Sequence, residues 1–297
     1  MAVIHYTTCP VCDSTNISPV TKAKDHTVSG ETFIIWECAD CRLRFTQDVP
    51  DSDSIGPYYK SENYISHSDT SKGMVNRLYH LVRNHTLRQK RKLLVRSTKK
   101  RTGAILDIGA GTGAFLNEMK QAGWRVTGLE PDAGARAVAA ERYSLNLLEP
   151  STLFQLETGS FDAITMWHVL EHVHTLQDYI KRVKELLKPG GWFIIALPNY
   201  TSLDAMHYGE AWAAYDVPRH LYHFSPESVK QLLQRNGLTY REGRPMWFDS
   251  FYISMLSEQY LHGKPGHVSA FIKGLTSNKN ALSNKESASS LIYLAQK

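Results

Sequence analysis

Apolar and polar positions fall into two regimes along this chain. From Thr102 onward, short apolar runs alternate with amphipathic stretches. Ala104–Ile108, Arg125–Leu129, Phe161–Trp167 and Trp192–Leu197 read as buried strands. Ala114 to Gln121 reads as a helix. Thr175, with Asp178 three residues on, opens another, whose stripe is Leu176, Tyr179, Ile180, Val183 and Leu187. That helix is expected to stop at Lys188-Pro189-Gly190-Gly191, and a further capped helix runs from Ser225-Pro226-Glu227 to Asn236-Gly237. Residues 238–248 and 289–296 read as an antiparallel pair at the sheet edge, with one helix and a weakly apolar loop between them. Such alternation predicts an α/β fold with a doubly wound, parallel sheet.

Ahead of Thr102 the pattern is different. Thr32 to Trp36 alternates as a strand, residues 49–71 are a connecting segment rich in Pro, Asp, Ser, Gly and Tyr, and Ser71 to Lys100 reads as one long helix. Its apolar positions, Met74, Leu78, Leu81, Val82, Leu93 and Leu94, predict packing across the domain that follows. The chain thus divides into residues 1–48, 49–101 and 102–297. Its 297 residues suit one large domain with an appendage. No apolar run reaches the length of a membrane span and no secretory leader pattern opens the chain, so a cytoplasmic protein is expected.

Charge changes the picture in one place. The net charge is +5, yet Lys72 to Arg101 holds eleven Lys or Arg and no acid, leaving the rest at 5 − 11 = −6. This local stripe is either a solvated helix face or a site for phosphate, nucleic acid or an anionic membrane. The four cysteines lie within the first 41 residues, as Cys9-x-x-Cys12 and Cys38-x-x-Cys41. Two such knuckles make a four-thiolate tetrahedron for structural zinc; disulfides are the competing reading.

The strand at 104–108 runs into Asp107-x-Gly109-x-Gly111-x-Gly113 and then a helix, which places a glycine turn where bare backbone meets a nucleoside-bearing ligand. Gly109, Gly111 and Ala114, with Glu130, also fit a dinucleotide fingerprint. The downstream segments Phe161-Asp162-Ala163-Ile164, Trp167-His168-Val169-Leu170-Glu171-His172-Val173 and Leu187-Lys188-Pro189-Gly190-Gly191 decide between them. Together with the glycine turn and Glu130, they resemble class I S-adenosylmethionine (SAM) dependent methyltransferases. The resemblance covers roughly residues 102–248 and implies a seven-stranded Rossmann-like sheet behind the zinc ribbon. It places Asp107 near the methionine ammonium of SAM, gives Gly109, Gly111 and Gly113 to the close backbone approach, and Glu130 to the ribose hydroxyls. Trp167 and His168 would wall the sulfonium side, Trp167 being equally readable as core. Glu171 and His172 would hold substrate or pin their loop.

The stretch Trp212 to Ser225 is dense in polar aromatics. It resembles bacterial methyltransferases of cell-surface glycan clusters, and with the cysteine knuckles it is similar to deoxysugar C-methyltransferases carrying a His-x-x-x-Phe-Ser stretch. His220-Leu221-Tyr222-His223-Phe224-Ser225 fits that spacing and makes His220 the candidate base, with Arg219, Tyr222 and His223 as substrate-side groups. Arg219 and His220 alternatively fix the loop, Arg219 by pairing with Asp216. The expected reaction is methyl transfer to oxygen or carbon of a small acceptor, a nucleotide sugar or glycan precursor. An RNA methyltransferase that binds through the ribbon and basic helix, and a non-catalytic SAM-binding scaffold, are the alternatives.

Overall fold

The computed structural model describes residues 2–60, 74–264 and 266–297, with side chains 74–82 left aside. The expected start of the long helix at 71–73, Lys72 and much of the connecting segment therefore lie outside the described residues, as do the side chains of Met74, Leu78, Leu81 and Val82.

The first third of the chain forms β1 (Val3–Ile4), β2 (Ile17–Lys24), β3 (Thr32–Cys38), β4 (Arg44–Thr46), β5 (Val49–Pro50) and α1 (Met74–Thr98). Then follow β6 (Ala104–Ile108), α2 (Ala114–Gln121), β7 (Arg125–Leu129), α3 (Ala133–Tyr143), β8 (Phe161–Trp167), α4 (Leu176–Leu186) and β9 (Leu187–Pro198). The remainder holds α5 (Leu203–Tyr208), β10 (Tyr222–His223), α6 (Pro226–Arg235), β11 (Thr239–Pro245), α7 (Asp249–His262), α8 (His267–Ser283) and β12 (Ser290–Gln296).

These elements group into two compact units, one of residues 1–64, 168–180 and 195–294, the other of 65–167, 181–194 and 295–297. In the second unit β6 pairs in parallel with β7 and with β8, and the strand order is β9-β8-β6-β7. Ile105, Leu106, Ala163, Ile164 and Met166 are buried on these strands, which is why they read as continuous apolar runs. The outer edge of β7 is met by a single parallel bridge, Leu129 to Leu148. The strands built on this pattern number six among the described residues, β11 and β12 included, and that bridge stands where a seventh is expected.

The helix α1 belongs to the second unit and is docked there. Leu93 and Leu94 are buried, Arg91 pairs with Glu118 at 2.7 Å, and Lys100 pairs with Asp162 at 2.5 Å. Part of the basic stripe is therefore committed to the protein's own carboxylates.

In the first unit, β2, β3 and β4 form a sheet whose fourth strand is β10, far along the chain. Tyr222 pairs with Phe45 and His223 with Arg44. This unit also contains the order β11-β12-β9, and a core of Ile35, Tyr200, Trp212, Val217 and Ile253. Unlike the expected divisions at 48 and 101, the unit joins the cysteine segment to residues from both later stretches. α4 ends at Leu186, just ahead of Lys188-Pro189-Gly190-Gly191 as expected, but that segment is carried in β9, which begins at Leu187 rather than Trp192, with Gly190 at φ 73°. The segment 250–288 is two helices rather than one helix and a loop. α8 buries only small residues, Ala270, Gly274, Ser277 and Ala281, so its buried face carries little hydrophobic signal.

Candidate functional site

In the second unit, the turn after β6 takes all three glycines to positive φ: 74° at Gly109, 54° at Gly111 and 77° at Gly113. At Gly113 a Cβ would also sit 3.1 Å from Ala139 Cβ and Leu145 Cδ1, so both conformation and space demand glycine. Glu130, just past β7, is 6 % exposed. One carboxylate oxygen accepts from Gly111 N–H at 2.7 Å and the other from Asp132 N–H at 3.0 Å. The carboxylate is thereby locked against the glycine turn with lone pairs to spare, as diol recognition requires.

Asp107 is buried beneath the turn and accepts from the Thr165 hydroxyl at 2.5 Å. Burial pushes its pKa up to about 7, against the opposing pull of Thr165 and Lys90. Trp167 ends β8. Its ring meets Phe115 edge-on at 5.6 Å, Lys90 Nζ lies 4.0 Å over it, and its indole N–H is buried without a hydrogen-bond partner. A buried carboxyl with a raised pKa, an orphaned indole N–H, a fixed carboxylate and a bare backbone turn fit a nucleoside ligand bearing an ammonium group.

The first unit assembles a second constellation. His168 has φ 57°, a left-handed conformation uncommon for a non-glycine residue. Its Nε2 lies 2.9 Å from Asp249 and its Nδ1 3.5 Å from Glu171. Burial works against a charged ring here, but the two carboxylates overcome it and hold the pKa up to about 10. His168 is an imidazolium bound to this unit's own acids.

Glu171 is 1 % exposed, and neither carboxylate oxygen accepts a hydrogen bond. Burial alone would raise its pKa; His168, His220 and His172 together outweigh it and keep the group anionic. His172 and His220 rings pack edge-on, 4.5 Å apart. His172 Nδ1 lies 3.0 Å from the Arg219 carbonyl and 3.1 Å from the Tyr59 hydroxyl, and His220 Nδ1 lies 2.8 Å from the Ala214 carbonyl. A carbonyl only accepts, so each Nδ1 is protonated. Burial, aided by His220, lowers the His172 pKa to about 4. One neutral imidazole and a second oriented one thus converge on an anionic carboxylate, with a ligand atom of each within 4.8 Å of the others.

Arg219 stands differently. It is 1 % exposed; Nε and Nη2 bond Asp216, Nη1 bonds the Tyr58 carbonyl at 2.8 Å, and Nη2 also reaches Asp25 at 3.1 Å and Thr27. Its guanidinium serves the protein's own acceptors. Tyr222 and His223 lie on β10, with the Tyr222 hydroxyl 3.3 Å from the His174 carbonyl and His223 Nε2 3.1 Å from the Thr46 hydroxyl. Asp249, Tyr59 and Asp25 went unmarked in the sequence, since a lone acid or tyrosine carries no spacing signal.

The four cysteines converge as expected, unbridged, with Cys9 Sγ 3.4 Å from Cys41 Sγ and Cys12 Sγ 3.5 Å from Cys38 Sγ. A zinc tetrahedron with Zn–S bonds of about 2.3 Å spaces its sulfurs by about 3.8 Å, so the donor set fits with small adjustment.

Comparison with known proteins adds a family. A family model described as a methyltransferase domain matches residues 79–242. A ubiquinone biosynthesis O-methyltransferase of Albidiferax ferrireducens is 31 % identical over 104 residues, 32 % of this chain and 41 % of that protein. The mitochondrial enzyme of that name from Rattus norvegicus is 27 % identical over 164 residues, 50 % of this chain and 47 % of the other. The chain thus spans less than half the length of these relatives. Among solved structures, phosphoethanolamine N-methyltransferase 2 of Haemonchus contortus in complex with S-adenosyl-L-methionine superposes with TM-score 0.51 at 20 % identity, covering 71 % of this chain and 52 % of that one. That likeness speaks for the fold.

Proposed function

The chain belongs to the methyltransferase-domain family, and from that premise we propose that it transfers the methyl group of SAM to an oxygen or carbon of a small acceptor. The cofactor reading is supported by the turn at Gly109, Gly111 and Gly113, by the Glu130 carboxylate fixed on Gly111 N–H, and by the buried Asp107 carboxyl. When bound, SAM supplies an electrophilic methyl on a sulfonium, whose transfer needs chiefly positioning.

The acceptor must also surrender a proton. The observation that carries the assignment of a base is His220, whose Nδ1–H is spent on the Ala214 carbonyl, leaving Nε2, 3.9 Å from Asp216 Oδ2, as the nitrogen that takes the acceptor's proton. The Glu171 carboxylate stands ready to stabilise the imidazolium that forms, as its lowered pKa reflects. Trp167 ends one set of groups and His168 begins the other, consecutive in the chain.

For the acceptor we favour a glycan precursor or nucleotide sugar, on the resemblance of residues 212–225 to glycan-cluster enzymes. The relatives' names favour a second reading, an acceptor of ubiquinone biosynthesis. Zinc on Cys9, Cys12, Cys38 and Cys41 is proposed as structural, four thiolates leaving no open coordination position.

The test is a His220→Ala variant assayed beside wild type on panels of nucleotide sugars and of phenolic acceptors. Unchanged affinity for S-adenosylhomocysteine with transfer reduced about a hundredfold or more is expected. Undiminished turnover removes His220 from the mechanism, and turnover confined to the phenolic panel replaces the sugar reading.

A further inference from the structure

α7 and α8 pack closely through Gly274, where a Cβ would meet the Phe251 backbone at 3.1 Å. The inner face of α8 is small and hydrogen-bonded: Ser269 donates to Glu258 and Ser277 to Asp204. Of the large apolar side chains of α8, Phe271 stacks on Phe251 of α7 with ring centroids 5.4 Å apart, and the others point the other way. Val268 is 76 % exposed, Phe271 59 %, Ile272 54 %, Leu275 52 % and Leu282 73 %. Their 3–4 spacing makes one stripe about 21 Å long. Leu261, at the end of α7, is exposed beside them in sequence. Isolated exposed apolar residues are ordinary, but a continuous stripe on a helix that buries its small face instead marks an interaction surface.

Charge identifies the occupant. Residues 259–285 contain Lys264, Lys273, Lys279 and Lys285 and no Asp or Glu. The acids of the hairpin are turned inward, Asp249 to His168 and Glu258 to Tyr208 and Ser269, while Glu286, just past Lys285, pairs with Lys230 at 2.5 Å. A second copy of the chain would bring lysines against lysines, the carboxylates nearby being already engaged. An anionic lipid surface answers both features, taking the apolar stripe into its interface and the lysines against its headgroups. No helix among the described residues is long and apolar enough to cross a membrane. We propose that the α7–α8 hairpin lies flat on an anionic bilayer surface and brings the protein to acceptors presented there.

Flotation of the full-length protein with vesicles of phosphatidylcholine alone and of phosphatidylcholine mixed with phosphatidylglycerol tests this. Binding to the mixed vesicles that falls with added salt is expected. Ile272→Ser with Leu275→Ser should abolish it, and Lys273→Glu with Lys279→Glu should weaken it by about fivefold per lysine or more. Because all four side chains are solvent-facing or at the margin, the circular dichroism of both variants should match wild type. Equal affinity for the two vesicle types, or variants that bind like wild type, overturns the proposal. So does concentration-dependent dimerisation that the Ile272/Leu275 variant removes, with no vesicle binding, which would make the stripe a self-association face.

Discussion

Arg219 offers the sharpest test of how the substrate-side loop is built. Replacing it by Met keeps most of its volume and removes the guanidinium that joins Asp216, Asp25, Thr27 and the Tyr58 carbonyl. Removing one member of a buried ion pair costs about 3–5 kcal/mol because the remaining charge is stranded. Asp25 would keep its local donors, the N–H groups of Thr27, Val28 and Ser29 and two hydroxyls, which puts the expected cost near the lower end, about 3 kcal/mol. With an unfolding entropy of about 2.1 cal/mol/K per residue, that is a fall in Tm of about 5 °C. The pH dependence follows from Asp25, whose pKa burial would raise but which the Ser29 and Thr27 donors and Arg219 pull well below the ordinary value. A depressed carboxylate stabilises the fold above its unfolded pKa and loses that contribution as pH falls toward its folded value. The Arg219→Met deficit should therefore be full at pH 5–7, taking unfolded Asp near 3.9, and shrink below about pH 4. Calorimetric melts at several pH values read this directly. An unchanged Tm combined with a raised KM for acceptor would refute the argument and return Arg219 to substrate binding.

Two further outcomes are expected. Asp107, with its pKa pushed up to about 7, should lose its proton when the ammonium of SAM binds beside it. Affinity then rises with pH up to about 7 and levels off, and calorimetry in buffers of different ionisation enthalpy should detect proton release; a binding enthalpy independent of buffer would contradict the placement. At the knuckles, the purified protein should hold about one zinc per chain, and Cys38→Ser should lose it together with a substantial part of the thermal stability; full metal content in that variant would exclude a four-cysteine site.

How much of this was legible beforehand depended on locality. The boundaries of β6, β7 and β8 stand where the apolar runs placed them, because β6 and β8 are buried along nearly their whole length and β7 at its last two residues, and such runs announce themselves. The cysteine knuckles and the glycine turn were legible for the same reason, since their chemistry is written in spacing. α8 was not: its buried face is made of Ala, Gly and Ser, so the stretch reads as a weakly apolar loop. β10 was missed because two residues carry no period and their partner is distant in sequence. Glu171 and His172 were noticed, but the Arg219 and Ala214 carbonyls that set the histidine tautomers are backbone groups, which no residue pattern reveals.

The distant strand has a consequence for biogenesis. Thr46 and His223 are 177 positions apart, so the sheet that carries Cys38 keeps the free edge of β4 until the ribosome has delivered the later segment. At about 5–20 residues per second that interval is roughly 10–35 s. The knuckles themselves close within 32 positions, Cys9 to Cys41. A nascent chain that captures metal early would hold its hairpin in register while the edge waits, whereas a metal-starved cell would present an open strand to its neighbours.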